Sequence, residues 1–387
     1  MSSKNHIAVE KKTGVRSSMK VLITGAKGFI AKNLIERLGR EEDIEYYKYD
    51  KESSLNLLEA YLKEVDFVFH LAGVNRPENP DEFYRGNTDL TKTILTILQK
   101  ENRTVPILFT SSTQAEYEND YGKSKHQAEE LLLAYASENS APVYIYRLPN
   151  VFGKWSRPNY NTVIATWCYN ITHELPIQVN DESVELQLVY IDDVVEQFVR
   201  HLDENGKEGV VYGEISPVYK KTLGEIQALL LAFKESRNEL LVPRVGRGFE
   251  RALYATYLSF LPIDKFSYEL HGYEDERGTF YEFVKTLDSG QFSISTTAPG
   301  ITRGNHYHNT KNEKFLVIKG EASIKHRQIH GDDIIEYIVS DKKMEVVEMI
   351  PGYTHDITNI GESEMVLLLW ANETFDRDNP DTYFLKV

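Results

Sequence analysis

Three groups of residues have the types and spacing to do chemistry. In Gly300-Ile-Thr-Arg-Gly-Asn-His306-Tyr-His308-Asn-Thr-Lys-Asn-Glu313, two histidines stand one residue apart and a glutamate follows five positions on, with His355 further down the chain. Side chains alternate along a strand with period two, so His306 and His308 on one strand share a face. With Glu313 and His355 they make a set of three imidazoles and one carboxylate. Imidazole suits Zn, Fe, Ni or Mn, and a mixed N/O set does not choose among them; one divalent ion is expected, with zinc the foremost. The second group is Tyr121-Gly-Lys-Ser-Lys125. Four residues apart on a helix, Tyr121 and Lys125 share a face, and a nearby ammonium favours the phenolate, which lowers the tyrosine pKa. Such a tyrosine can exchange a proton with a carbonyl or alcohol while a hydride moves. The third is Gly25-x-x-Gly28-x-x-Ala31. There Gly25 permits a tight turn, Gly28 lets the backbone approach a pyrophosphate, and Ala31 lets a helix pack close to a strand.

The elements that must position these groups come in two textures. The apolar run Lys20–Thr24 meets Gly25 and Gly28 and turns into a helical pattern through Leu34, Ile35 and Leu38, so the glycine loop lies between the first strand and first helix. Short apolar runs at Asp66–Ala72, Pro106–Ser111 and Val143–Leu148 alternate with helical stretches such as Thr88–Gln99 and Tyr121–Ala136. That alternation predicts an α/β Rossmann-like, doubly wound parallel sheet. From about Phe280 the runs become short, β-rich and punctuated: Gln291–Thr296, Lys314–Ile318, Glu321–Gln328, Asp333–Val339, Lys343–Glu348 and Met365–Trp370. They predict an all-β barrel or sandwich. Thr222–Leu261 reads as helical with a break at Pro243–Gly248. The expected organisation is a flexible extension over 1–18, a nucleotide-binding domain over 19–262 and a β domain over 263–387.

Bulk properties narrow the function. A chain of 387 residues has room for two cores. A net charge of -15 disfavours electrostatic binding to nucleic acid. No apolar run is long enough to predict a membrane span, and the single cysteine, Cys168, fits a reducing compartment, so the expectation is cytoplasmic.

Together the glycine loop and the Tyr121/Lys125 pair resemble the extended short-chain dehydrogenase/reductase family, sugar-nucleotide branch, over roughly Met19 to Leu261. The resemblance extends to Asp66-Phe-Val-Phe-His70-Leu71-Ala72-Gly73, where that family contacts adenosine, and to Asn87, Ser111-Ser112-Thr113 and Arg147-Leu-Pro149-Asn150-Val-Phe-Gly153. It implies that Tyr121 is the catalytic acid, that Lys125 binds the ribose and tunes Tyr121, and that Ser112 or Thr113 hydrogen-bonds the substrate oxygen. Gly25, Lys27, Gly28, Phe29, Ile30, Leu71, Ala72, Gly73 and Pro149 are then expected around the cofactor, with Arg147, Asn150 and Asn161 toward the substrate. Asp50 could accept from a ribose 2′-hydroxyl, whereas Lys27, Lys48 and Lys51 could hold a 2′-phosphate. NADPH is the expected cofactor and NADH the alternative.

The second half resembles the cupins over about Ile263 to Val387, on G-x5-H-x-H-x4-E-x6-G and Pro351-Gly352-Tyr-Thr-His355. That likeness implies metal binding by His306, His308, Glu313 and His355, and a homodimer through this domain. Asp275-Glu-Arg277-Gly278-Thr-Phe280-Tyr-Glu282 and Arg303-Gly-Asn-His306-Tyr also resemble the 4-keto-6-deoxysugar nucleotide 3,5-epimerases. There the residue matching His306 is a base, so two likenesses assign this histidine different jobs. The full ligand set favours the ligand role and leaves the base unidentified. A reductase followed by a cupin resembles capsular-polysaccharide and O-antigen enzymes. This implies a UDP-linked 4-keto-6-deoxy amino sugar as substrate, epimerised at C-3 and then reduced at C-4 with NADPH. The competing expectation is a reductase alone, with a structural, metal-stabilised dimerisation or sensing module.

Overall fold

The computed structural model describes residues 18–74, 77–160, 162–204 and 208–387. Most of the expected N-terminal extension, and Asn161, lie outside them. Five strands, β1 (Met19–Thr24), β2 (Ile44–Tyr49), β3 (Phe67–His70), β4 (Ile107–Ser112) and β5 (Pro142–Leu148), form a sheet with a sixth, Gly209–Gly213, in the order β2-β1-β3-β4-β5-sixth. All neighbours pair parallel.

The central strands of this sheet are buried on both faces, and strand alternation shows why. Val21 and Ile23 of β1, Phe67 and Phe69 of β3 and Tyr144 and Tyr146 of β5 enter one apolar cluster with the helices Phe29–Leu38 (α1) and Ile191–Arg200. The intervening Leu22, Val68, Val143 and Ile145 enter a second cluster with Leu58, Ile94, Leu132 and Tyr135 from helices on the opposite face. A strand buried on both sides reads as a continuous apolar run rather than an alternating one, which is the pattern seen in the sequence.

The β-rich part has two sheets. One runs Leu241–Val242, Gly278–Thr286, Gln291–Thr297, Met365–Ala371, Glu313–Lys319, Val346–Met349, with Gly272–Asp275 paired to Gly278–Thr286. The other runs Ile334–Ser340, Glu321–Gln328, Tyr353–Asn359, Thr302–Tyr307, Tyr383–Phe384. Phe315, Val317, Met365 and Leu367 of the first meet Ala322, Ile324 and Ile357 of the second in one core.

The chain divides into two compact units, residues up to Asn170 with Ile177–Ile226, and Ile171–Pro176 with Gln227–Val387. The helical stretch after Ile226, read from sequence with the first domain, therefore groups with the β-rich unit. Strand Leu241–Val242 pairs parallel with Gly278–Thr286, which ties that stretch to the larger sheet. Among the described residues no helix is long and apolar enough to cross a membrane.

Candidate active site and metal centre

In the first unit the site is built where β1, β3 and β4 end. Gly25 has φ +67, and a Cβ there would stand 2.7 Å from the Ala72 Cα, so the turn after β1 tolerates only glycine. Gly28 then begins α1 with no side-chain cap. The first amides of that helix are left for an anion, and the helix dipole favours one there.

A neutral histidine joins this turn to the end of β3. Ala72 N–H donates to Thr24 Oγ1 at 3.1 Å, and Thr24 Oγ1 lies 2.8 Å from His70 Nδ1. On its other side His70 Nε2 lies 2.8 Å from Thr91 Oγ1, whose proton goes to the Asn87 carbonyl. The proton count makes Nε2 the protonated nitrogen and Nδ1 the acceptor. Burial, with the charge of Lys125 adding to it, pushes His70 down to about 3, so the ring is a fixed uncharged spacer.

The helix Asp120–Asn139 carries Tyr121, Lys125 and Glu129 along one face. Asn119 caps it, its Oδ1 accepting from Gly122 N at 2.7 Å. A Cβ at Gly122 would meet the Gln114 carbonyl at 2.3 Å, so glycine there lets the first turn seat against the loop after β4. Asn87 holds the next turn through Ser124 Oγ at 2.9 Å. Lys125 is buried and donates to the Thr110 carbonyl at 2.9 Å. Desolvation lowers it to about 8, against the opposing charge of Glu129.

The expected lowering of the Tyr121 pKa is not what the fold produces. Burial pushes the phenol up, the Ser112 hydroxyl pulls it part of the way back, and Tyr160 adds to the rise. The lysine proton that was to stabilise a phenolate is turned to a backbone carbonyl instead. Of the two candidate hydroxyls, Ser112 is the one hydrogen-bonded to Tyr121; it also accepts from Gln114 N at 3.2 Å.

These groups line one cavity of about 1280 Å³, and with them Gly25, Lys27, Gly28, Phe29, Ile30, Leu71, Thr113, Pro149 and Asn150. Ala72 and Gly73 stand behind it, Ala72 against Gly25 and Gly73 with its Cβ direction 2.9 Å from Lys125 Nζ. Asp50 lies outside the lining but 3.6 Å from Lys27 Nζ, which also pairs with Glu52. Arg147, expected toward the substrate, is not among the lining residues. It is spent on Glu129 and Glu116, because a carboxylate as buried as Glu129 requires a partner. Glu129 itself was missed, although its spacing from Tyr121 and Lys125 puts it on their face. Trp155, Arg157 and Tyr160 line the cavity too and carry no motif that would single them out.

The metal candidates converge from both sheets of the β-rich unit. Glu313 opens its strand in phase with the core residues Phe315 and Val317, so it points inward, as does His355 in phase with Ile357. His306 sits on Thr302–Tyr307 beyond a register shift at Gly304, and His308 falls just past that strand rather than on it. One candidate ligand atom from each of the four lies within 4.8 Å of every other. Glu313 Oε2 is 3.4 Å from His308 Nε2 and 3.6 Å from His355 Nε2.

His355 is 1% exposed, and neither ring nitrogen has a hydrogen-bond partner. A buried imidazole with no partner fits a ligand whose ion completes it. Desolvation lowers His306 to about 4, with His355 adding to the shift, so it is a neutral donor at ordinary pH. Burial pushes Glu313 up, but the neighbouring imidazoles of His308 and His355 and the charge of Lys311 outweigh it and hold the carboxylate ionised. The set therefore fits a divalent cation.

Residues 21–213 match the NAD dependent epimerase/dehydratase family and residues 273–383 the polysaccharide biosynthesis C-terminal domain. A UDP-2-acetamido-2,6-beta-L-arabino-hexul-4-ose reductase of Pseudomonas aeruginosa PA103 is 52% identical over 370 residues, 95% of this chain and 99% of that protein. The crystal structure of the capsular polysaccharide assembling protein CapF from Staphylococcus aureus superposes with TM-score 0.88 at 49% identity, covering 95% of this chain and 100% of that one. A UDP-glucuronic acid 4-epimerase from Bacillus cereus, solved with NAD, shares the fold at 17% identity and TM-score 0.54, over 62% of this chain and 99% of its own. The chain belongs to the CapF family of oxidoreductases, an NAD(P)-binding epimerase/dehydratase-type domain followed by a polysaccharide-biosynthesis C-terminal domain.

Proposed function

We propose that the chain is a bifunctional nucleotide-sugar enzyme. Its β-rich unit epimerises C-3 of UDP-2-acetamido-2,6-dideoxy-4-hexulose, and its first unit reduces C-4 with NADPH. The product is UDP-N-acetyl-6-deoxy-L-talosamine, on the route to N-acetyl-L-fucosamine. The whole-length similarity to the Pseudomonas aeruginosa hexul-4-ose reductase supports the substrate class. The observation that carries the reductase half is Tyr121, paired with Ser112 and one helical turn before Lys125, on the wall of a cavity that also holds the Gly25/Gly28 turn.

Bound groups supply two things these side chains lack: a hydride from the dinucleotide, and Lewis-acid polarisation of a carbonyl from a divalent ion, zinc in this reading. The residues do the rest. Ser112 and Tyr121 hold the C-4 oxygen, and Tyr121 delivers the proton that the reduced oxygen takes up. A phenol whose pKa is raised by burial keeps that proton at neutral pH, which suits an acid in the reducing direction. Lys125 anchors the ribose. In the β-rich unit His306, His308, Glu313 and His355 would hold the ion.

The test uses the full chain and the 4-keto substrate in deuterated water. Tyr121→Phe should slow NADPH oxidation by about a hundredfold to ten-thousandfold while deuterium still enters C-3. His355→Ala should stop the exchange. NADPH oxidation that survives Tyr121→Phe refutes the acid assignment. Absence of exchange by metal-loaded wild type refutes the epimerase half and leaves a reductase.

A further inference from the structure

The four ligands are held by a segment far away in sequence. Glu313 presents its two oxygens differently: Oε2 faces His308 and His355, while Oε1 is 3.3 Å from the Nζ of Lys311, itself 8% exposed. Lys311 thus turns one carboxylate oxygen away from the centre and leaves the other for the ion. Lys311 is in turn placed by Asp381. Asp381 Oδ2 accepts from Lys311 N and Thr310 N, both at 2.8 Å, and from Thr310 Oγ1 at 3.1 Å, and Oδ1 accepts from Asn309 N at 3.1 Å. The same residue's backbone carbonyl accepts from His308 Nδ1 at 2.7 Å, which fixes the tautomer and leaves the Nε2 lone pair, 3.4 Å from Glu313 Oε2, as the atom free to ligate an ion. Asp381 does this from φ +39, a backbone state that a non-glycine residue keeps only when its surroundings hold it there.

The residues that follow grip the strands carrying the other two ligands. Phe384 pairs with His306 and Tyr383 with Tyr307. Leu385 N donates to the Asn305 carbonyl at 2.9 Å, and the Leu385 carbonyl accepts from Thr354 Oγ1, next to His355. Arg327 Nη2 reaches the Lys386 carbonyl at 2.6 Å.

Resting on the reading of this cluster as a metal site, we propose that Asp381 is its positioning residue. The segment Asp381–Val387 then forms the outer wall of the centre, orienting His308 directly and Glu313 through Lys311. Ion binding and docking of this segment become one linked equilibrium, in which each strengthens the other by the same factor.

The experiment measures zinc affinity of the full-length protein by competition with a chelator, together with the visible spectrum of the cobalt-substituted form. Asp381→Asn turns an acceptor oxygen into a donor facing the loop amides and should weaken zinc by about tenfold to a hundredfold, with an altered cobalt spectrum. Lys311→Met, which removes only the pin on Glu313, should weaken zinc by about tenfold; it decides the matter if Asp381→Asn does not fold. In wild type, hydrogen exchange of the Leu385 amide should slow when zinc is added. Zinc affinity within twofold of wild type in both variants, with an unchanged cobalt spectrum, overturns the proposal. A wild-type chain that binds no zinc overturns the metal reading itself and this inference with it.

Discussion

Arg147 grips Glu129 with two nitrogens, Nη2 to Oε2 at 2.7 Å and Nε to Oε1 at 3.1 Å, and the glutamate side chain is 1% exposed. Ser111 Oγ also donates to Glu129, and Arg147 Nη1 reaches Glu116 at 2.7 Å. The pair lies one helical turn beyond Lys125 and keeps a negative charge near a buried ammonium.

Removing the arginine alone strands a buried carboxylate. Arg147→Met should cost about 3 kcal/mol in the urea unfolding of the first unit, with little change in KM for the sugar nucleotide. The double variant Arg147→Met/Glu129→Leu should recover most of that loss, since an apolar pair of similar volume replaces an ion pair at little net cost. A raised KM with unchanged stability would instead make Arg147 a substrate ligand.

As the proposed ribose-binding residue, Lys125 should set the alkaline limb of cofactor binding. Its pKa is lowered to about 8 by desolvation, with Glu129 opposing. Below that value it is an ammonium able to bond a ribose; as pH rises through it, the charge and one of its three N–H donors are lost. Dinucleotide affinity, followed by fluorescence titration, should weaken above about pH 8, and Lys125→Met should flatten that limb. The stability contribution has the opposite sign. The folded state gives up its proton earlier than the unfolded chain, so folding gains as pH rises from about 8 toward the ordinary lysine value. Apo-protein unfolding across that window checks the second trend.

Choice between the two dinucleotides is proposed to rest on Lys27. It is held between Asp50 at 3.6 Å and Glu52, and a 2′-phosphate must draw it away from both. Glu52→Gln should therefore improve NADPH affinity a few-fold and leave NADH nearly unchanged, with the gain shrinking in high salt because the groups are exposed. Lys27→Ala should weaken NADPH selectively. Equal effects on both cofactors would remove Lys27 from 2′-phosphate recognition.

The amino-acid sequence by itself determined whatever depends on local spacing. Gly25-x-x-Gly28 between a strand and a helix, Tyr121 and Lys125 four apart, and the apolar periods that separate a parallel sheet from a β-rich unit are all consequences of helix and strand geometry over a few residues. The four ligand candidates were legible as residue types, although His308 proved to lie past the strand that carries His306. Only the tertiary structure decided which charges are buried, because burial depends on what packs against a residue from elsewhere in the chain. It made the buried Glu129 the partner of Arg147, directed Lys125 Nζ to the Thr110 carbonyl, buried Tyr121 so that its pKa rises, and brought Ser112 into hydrogen bonding with it. It also brought Asp381 to His308 across a separation of 73 positions in sequence by strand pairing. No local pattern encodes that contact, since backbone hydrogen bonds between distant strands place a residue regardless of its neighbours in sequence.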